Sequence, residues 1–353
     1  MVLALVASAC TGGGSDAGAD DDESRPEVAI ASSTAAAGHV QGEIYAILLT
    51  ELGYTVRRPL GDDVDAGVAY TSLAGGEIDV WTDGRYPADE GWHATTLADG
   101  SAVSEHITVV GEPFDAIGVE GLVVTRSVAE REGIRSLDQI NDDPSLVELF
   151  DSDGNGKANV FGCPDIWVCG DVIDAMIERN GWDNIEQTRS QYRGMAIESS
   201  YRVADGLPII QYLRTPTGQT AERFVPGDNV LWLSLGGGDL ACDRLAPCDP
   251  MWDTASPEPV PAEDTCTDAP CFTGWNEATV RVVANVRFAE ANPAAMALLA
   301  SVSASGDDAV ATHATYLEVT YPEPEDLEAA ARQWIRDHRS EVDAWLDEAR
   351  AAG

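Results

Sequence analysis

The sequence predicts an α/β protein of two domains joined by two hinge crossovers. Strand–helix–strand patterning opens the chain at 26–56 and repeats in shorter form at 69–81, and apolar alternation returns at 279–286 ahead of closing helices. A strand, a crossover helix and a second strand form the βαβ unit of a parallel sheet, which places ligands at the carboxyl ends of its strands. On this pattern residues 1–25 are a signal remnant and acidic tether and 26–120 the first part of domain I. Residues 121–281 are domain II, and 282–353 are the return to domain I with its C-terminal helices.

Glu27-Val-Ala-Ile-Ala31 reads as a strand. Val40, Ile44, Ile47, Leu48 and Leu52 recur on one helical face, Gly53 stops that helix, and Tyr54-Thr-Val56 begins the next strand. Ala69 to Trp81 carries a short helix into a buried strand. Ile117 to Val124 is a further apolar run, and Leu137 to Ile140 and Ser145 to Phe150 are short helical pieces. Asp171 to Ile177 has helical spacing with Asn180-Gly181 as its stop signal. The segment 240–275, rich in Pro, Asp and Cys, reads as a disulfide-pinned surface loop. After the strand at Thr279 to Val286, a helix from Phe288 to Val302 is interrupted early by Pro293. Helices near 325–337 and 340–351 carry Leu327, Trp334, Ile335, Val342, Trp345 and Leu346 back onto the first domain.

A length of 353 residues with 44% hydrophobic content is enough for two cores. Against 61 acidic residues stand 21 basic ones, and the formal charge is −40, so nucleic acid and anionic membrane surfaces are excluded as partners by charge. The acidity is spread along the whole chain and fits a halophilic protein, kept soluble in high salt where screening weakens self-repulsion. Met1 to Cys10 is a short apolar run ending in small residues and a cysteine, which reads as the tail of a lipoprotein signal peptide with Cys10 as the lipidated residue. The other reading is an ordinary secretory signal with an incidental cysteine. No other segment reaches the roughly 18 apolar residues of a membrane span, so the expected location is extracytoplasmic, anchored only by lipid.

The remaining cysteines fall into three close pairs, Cys163 with Cys169, Cys242 with Cys248, and Cys266 with Cys271, which read as local disulfides in an oxidising compartment. The first pair encloses Trp167 just before a helix. A tryptophan face beside the unpaired N–H groups of a helix start suits a small zwitterion, its cation on the ring and its carboxylate on the amides. A stapled turn around a core tryptophan is the plainer alternative. Asp151, Asp153 and Asn155 match the first half of a calcium loop, but the acid expected at its twelfth position is Gly162, so an Asx-rich turn stands beside structural calcium as a reading.

No phosphate loop, zinc-protease helix or nucleophile elbow is present, and the chain is not read as an enzyme. Arg85 and Arg214 each follow a strand, where a guanidinium can clamp a carboxylate, sulfonate or phosphate; each is otherwise a surface ion pair.

From Val28 to the C-terminus the sequence resembles the substrate-binding proteins of glycine betaine/proline-type ABC transporters. The motifs that carry this are Leu52-Gly-Tyr54, Ala69-Tyr-Thr-Ser-Leu-Ala74, the run Leu149 to Ala158 containing Asp-Gly-Asn-Gly-Lys-Ala, and Gly162-Cys163 through Trp167 and Cys169. Asn229-Val-Leu-Trp-Leu233, Val283-Ala-Asn285 and Ala291-Asn-Pro-Ala-Ala295 complete the set. The resemblance implies a type II periplasmic-binding-protein fold, cleft closure over an osmoprotectant, delivery to a membrane permease driven by an ATPase, and no cofactor. It also implies a box of three tryptophans around a quaternary ammonium, with a histidine and the amides of the cysteine loop on its carboxylate. Trp167 keeps one wall and the amides of Val168 and Cys169 keep the anion site, while Arg85-Tyr86-Pro87 and Arg214-Thr215-Pro216 stand where the other walls belong and Asp89 where the histidine belongs. A guanidinium against a quaternary ammonium is repulsive by about 1 to 4 kcal/mol. Either Tyr86 or Trp81 rebuilds a wall, or the two arginines turn the box toward an anionic, amino-dicarboxylate or sulfonate solute, with Asp89 on its amine. A ligand-sensing domain, or a secreted enzyme that uses a carboxylate pair in the cleft, is a further alternative.

Overall fold

Two five-stranded sheets, each flanked by helices, carry the molecule. The first has the order β2 (Thr55–Arg57), β1 (Glu27–Ala31), β3 (Val80–Tyr86), β10 (Thr279–Asn285), β4 (Ile107–Gly111). The second has the order β7 (Ile185–Thr188), β6 (Ala158–Phe161), β8 (Ile210–Arg214), β5 (Glu120–Thr125), β9 (Val230–Trp232). The two share one plan. Three parallel strands are followed by a strand newly arrived from the other lobe, β10 or β5, which runs antiparallel to its neighbours. The chain passes from the first sheet to the second between Gly111 and Glu120, and returns between Trp232 and Thr279. The computed structural model describes residues 26–32, 36–61, 64–86, 88–113, 118–165, 167–215, 223–235, 261–275, 279–303 and 324–353. Cys10 and the Cys242 and Cys248 pair lie outside the described residues.

The helices of the first lobe are α1 (Ala36–Glu51) and α2 (Ala66–Gly75); the second lobe has α3 (Arg126–Glu132), α4 (Leu137–Asp142), α5 (Pro144–Phe150), α6 (Val168–Asn180) and α7 (Tyr192–Ala204). After the return come α8 (Val286–Ala291), α9 (Pro293–Ser301), α10 (Pro324–Asp337) and α11 (Arg339–Ala352). Pro293 ends one helix and opens the next because it has no N–H to give to the ladder. Tyr45, Leu48 and Leu49 of α1 share a core with Phe288, Leu298, Ile335, Val342 and Leu346, so the C-terminal helices close the first lobe. Leu122, Val124, Val160, Ile173, Trp182 and Tyr212 form the core of the second.

The described end of the Pro/Asp/Cys-rich stretch, 261–275, is a loop pinned by the Cys266–Cys271 disulfide, and it is also tied to the second sheet. Thr267 donates its N–H to the Trp232 carbonyl at 2.9 Å, Leu235 donates to the Phe272 carbonyl at 3.0 Å, and Cys271 and Thr273 are buried. Backbone pairing with the β9 region, which has no local sequence periodicity to announce it, lays this segment against the sheet.

Candidate functional site

The cysteine loop follows β6. Gly162 begins it where a Cβ would overlap the Gln187 side chain, so the close approach requires glycine. Cys163 and Cys169 are bonded, as are Cys266 and Cys271. Cys163 is fully buried, and the staple holds Trp167 at the position before α6, whose first turn contains Val168 and Cys169. Their N–H groups belong to the helix start, where no intrahelical acceptor exists and an anion is favoured.

Trp167 stands at one end of a row of rings. Its centroid is 5.0 Å from that of Tyr192, Tyr192 is 6.1 Å from Tyr212, and Tyr212 is 5.6 Å from Trp275. Tyr192 donates its hydroxyl to the Tyr212 carbonyl at 3.0 Å, and Tyr212 donates to Glu120 Oε2 at 2.9 Å. Burial, and then the Glu120 carboxylate, push the Tyr212 phenol well up, so it serves as a neutral donor. Arg214 ends β8 two residues beyond Tyr212 and directly opposite Glu120 in the strand register. Its Cζ lies 5.1 Å from the Trp167 ring centroid, within cation–π reach. Its charge also works against the upward shifts that burial causes at Tyr192 and Tyr212.

The first lobe contributes the end of β3. Thr82 and Asp83 together face the single residue Val282 of β10, a bulge of the kind that re-aims side chains beside sites. Arg85 follows, its Nη2 3.2 Å from Asp83 Oδ1 and its side chain a quarter exposed. Burial works against the Arg85 charge, but Asp83, Glu120, Tyr212 and Asp89 outweigh it and hold the guanidinium more firmly protonated than usual. Glu120 and Tyr212 belong to the second sheet, so Arg85 is where the two halves of the site meet electrostatically. Asp89, 7% exposed, accepts the Arg85 N–H at 2.7 Å, and burial pushes its carboxyl up to about 7. Tyr86 does not stand free as a wall. Its hydroxyl lies 3.3 Å from that of Tyr70 and 2.9 Å from His93 Nε2, and burial pushes its phenol up to about 12.

Trp81 is a correction to the sequence reading. It is 1% exposed and packs with Tyr70, Leu73, Val103 and Val283 in the core of the first lobe, because it lies on β3 before the bulge. The Asp151 loop closes on itself. Asp151 Oδ1 accepts the N–H groups of Gly154 and Asn155, Oδ2 accepts that of Gly156, and the Asn155 amide donates to Asp153 and Glu186. These bonds make the loop an Asx-rich turn, and no group of three or more His, Cys, Asp or Glu could hold a metal among the described residues.

The structure therefore brings Trp167, Cys169 and Arg214 together in one lobe, and Arg85, Tyr86 and Asp89 in the other. Sequence reasoning missed Glu120, Tyr192, Tyr212 and Trp275. Tyr212 carried a signal, since period-two alternation puts it on the same face as Arg214. Tyr192 and Trp275 carried none, because their places in the row come from α7 and from the segment laid along β9.

Two α/β lobes joined by two crossings, with rings and charged groups gathered at strand ends, are the architecture of a type II periplasmic binding protein. Residues 26–337 match the family model described as the substrate binding domain of ABC-type glycine betaine transport systems, and the chain belongs to that family. The glycine betaine-binding periplasmic protein OusX of Dickeya dadantii is 30% identical over 311 residues, covering 86% of this chain and 84% of that protein. The glycine betaine/proline betaine-binding periplasmic protein of Escherichia coli is 28% identical over 305 residues, with the same coverage of 86% and 84%. Among solved structures, a choline binding protein in complex with choline superposes with a TM-score of 0.61 at 18% identity, covering 92% of this chain and 96% of that one. Lactococcal OpuAC complexed with glycine betaine gives 0.57 at 16% identity, covering 91% and 99%. At these identities the structural likeness speaks for the fold alone.

Proposed function

We propose that this protein captures glycine betaine or a related quaternary amine outside the cytoplasm by closing its two lobes, and delivers it to an ABC permease driven by an ATPase. The observation that carries this reading is the half-buried Trp167 ring, backed by Tyr192 and by the buried Tyr212 with its Glu120 carboxylate, an aromatic and anionic setting suited to a cation without N–H groups. The ligand carboxylate goes to the amides of Val168 and Cys169 at the start of α6. Closure brings up Arg85, Tyr86 and Asp89, with Asp89 able to donate a hydrogen bond when protonated. The lobes close because the ligand contacts both, which gives the closed state the higher affinity.

Two finer points belong to the same reading. The two disulfides among the described residues suit an oxidising, extracytoplasmic compartment, and Cys10 is the anchor, so mass spectrometry of membrane-extracted protein should find a diacylglyceryl group on it. A second reading, capture of an acidic amino compound or a sulfonate, is favoured by Arg85 and Arg214 at the strand ends. Calorimetric titration in high salt separates the two. Micromolar binding of glycine betaine supports the first; no heat with betaine and a response to an amino-dicarboxylate or a sulfonate overturns it in favour of the second.

A further inference from the structure

Arg214 stands in the place where the bound cation is needed. Its guanidinium carbon is 5.1 Å from the centre of Trp167, its charge is felt at Tyr192 and Tyr212, and its side chain is half-buried. One ring face can carry one cation at van der Waals distance. A second cation on the same face meets repulsion as large as the attraction the ring offers, so Arg214 and a quaternary ammonium cannot both use the Trp167 face that Arg214 covers.

We propose that Arg214 is a tethered occupant of the cation subsite: its guanidinium covers Trp167 and must leave the ring for a quaternary ammonium to bind. This rests on the reading that the ligand is a quaternary amine. The side chain has somewhere to go. Glu120 is directly opposite on β5, and its carboxylate, now bonded by the Tyr212 hydroxyl, can accept a guanidinium bidentately with no movement of the strands. A long, half-buried arginine at the last residue of a strand changes rotamer without disturbing the ladder. The tethered cation then sets a threshold. Every ligand that needs the ring meets the same cost of moving Arg214 away, so Arg214 lowers affinity for the whole class by one factor.

The test is titration of the protein and of Arg214→Gln with glycine betaine and with choline, which carries the same ammonium without the carboxylate. Arg214→Gln is expected to tighten betaine and choline alike, by about tenfold, about 1.4 kcal/mol. Arg214→Lys, which keeps a charge on the same strand end, is expected to stay nearer the parent. If betaine binds the parent and Arg214→Gln weakens it while leaving choline unchanged, Arg214 reads the carboxylate and the proposal is overturned with the function intact. If neither protein binds either amine, the quaternary-amine reading itself is overturned. A crystal structure of the parent with glycine betaine gives the same decision without a variant. Arg214 more than 6 Å from the Trp167 centroid, on the cation–π distance limit, supports displacement; Arg214 still stacked beside bound betaine overturns it.

Discussion

Arg85 donates its backbone N–H to the Asp89 carboxylate at 2.7 Å, closing the turn between β3 and the short 3-10 helix that follows. The bond orients a carboxyl that burial pushes from an ordinary 3.8 up to about 7. Below pH 4 the group is protonated in folded and unfolded chains alike. Between the ordinary and the folded value the folded protein keeps a proton that the unfolded chain has released, so this group's contribution to stability falls as pH rises through that window. Asp89→Asn should therefore lose the dependence. The stability difference between Asp89→Asn and the parent, from urea midpoints at fixed salt, should grow toward neutral pH by up to about 1.4 kcal/mol per unit. Parallel pH profiles would contradict it.

Tyr212 is 2% exposed and bonds Glu120 while its ring spans Tyr192 and Trp275. Tyr212→Phe keeps the ring and removes the donor to a carboxylate at the inner edge of the site. A loss of about 1 to 3 kcal/mol in unfolding free energy is expected. An unchanged denaturant midpoint would mean that water replaces the hydroxyl without cost.

The Cys163 and Cys169 staple closes a small loop around Trp167. Replacing both cysteines by alanine should cost about 2 kcal/mol of stability on the loop-entropy scale. It should weaken betaine further than stability alone explains, because Trp167 and the α6 amides lose their fixed relation. Equal betaine affinity in the alanine pair would show that packing alone positions the ring.

With a formal charge of −40 the folded chain repels itself. Shortening the Debye length from about 10 Å at 0.1 M salt to about 3 Å at 1 M should raise the melting temperature. A melting temperature that falls with added sodium chloride would remove self-repulsion as the main cost.

The lobes were legible in the sequence because their elements are local. Val40, Ile44 and Leu48 repeat at helical spacing and are buried in α1, and the strand at Thr279–Asn285 shows its alternation before it joins β3 and β4. The cysteine pairs announced two disulfides by spacing alone. The pairing of the segment ending at Trp275 with the β9 region was not legible, because its partners lie more than thirty residues back along the chain and no local pattern reports a distant acceptor.

The sequence by itself determined the family, the stapled Trp167 and the two arginines at strand ends, because motif spacing and hydrophobic period survive in one dimension. Only the tertiary structure decided what those groups face. Trp81 went to the core of the first lobe, Tyr192, Tyr212 and Trp275 came from three separate elements to back the Trp167 ring, and Glu120 arrived through the hinge crossing opposite Arg214. A cation–π contact or a buried carboxylate depends on distances of a few ångströms between residues far apart in the chain, and packing of the finished sheets sets those distances.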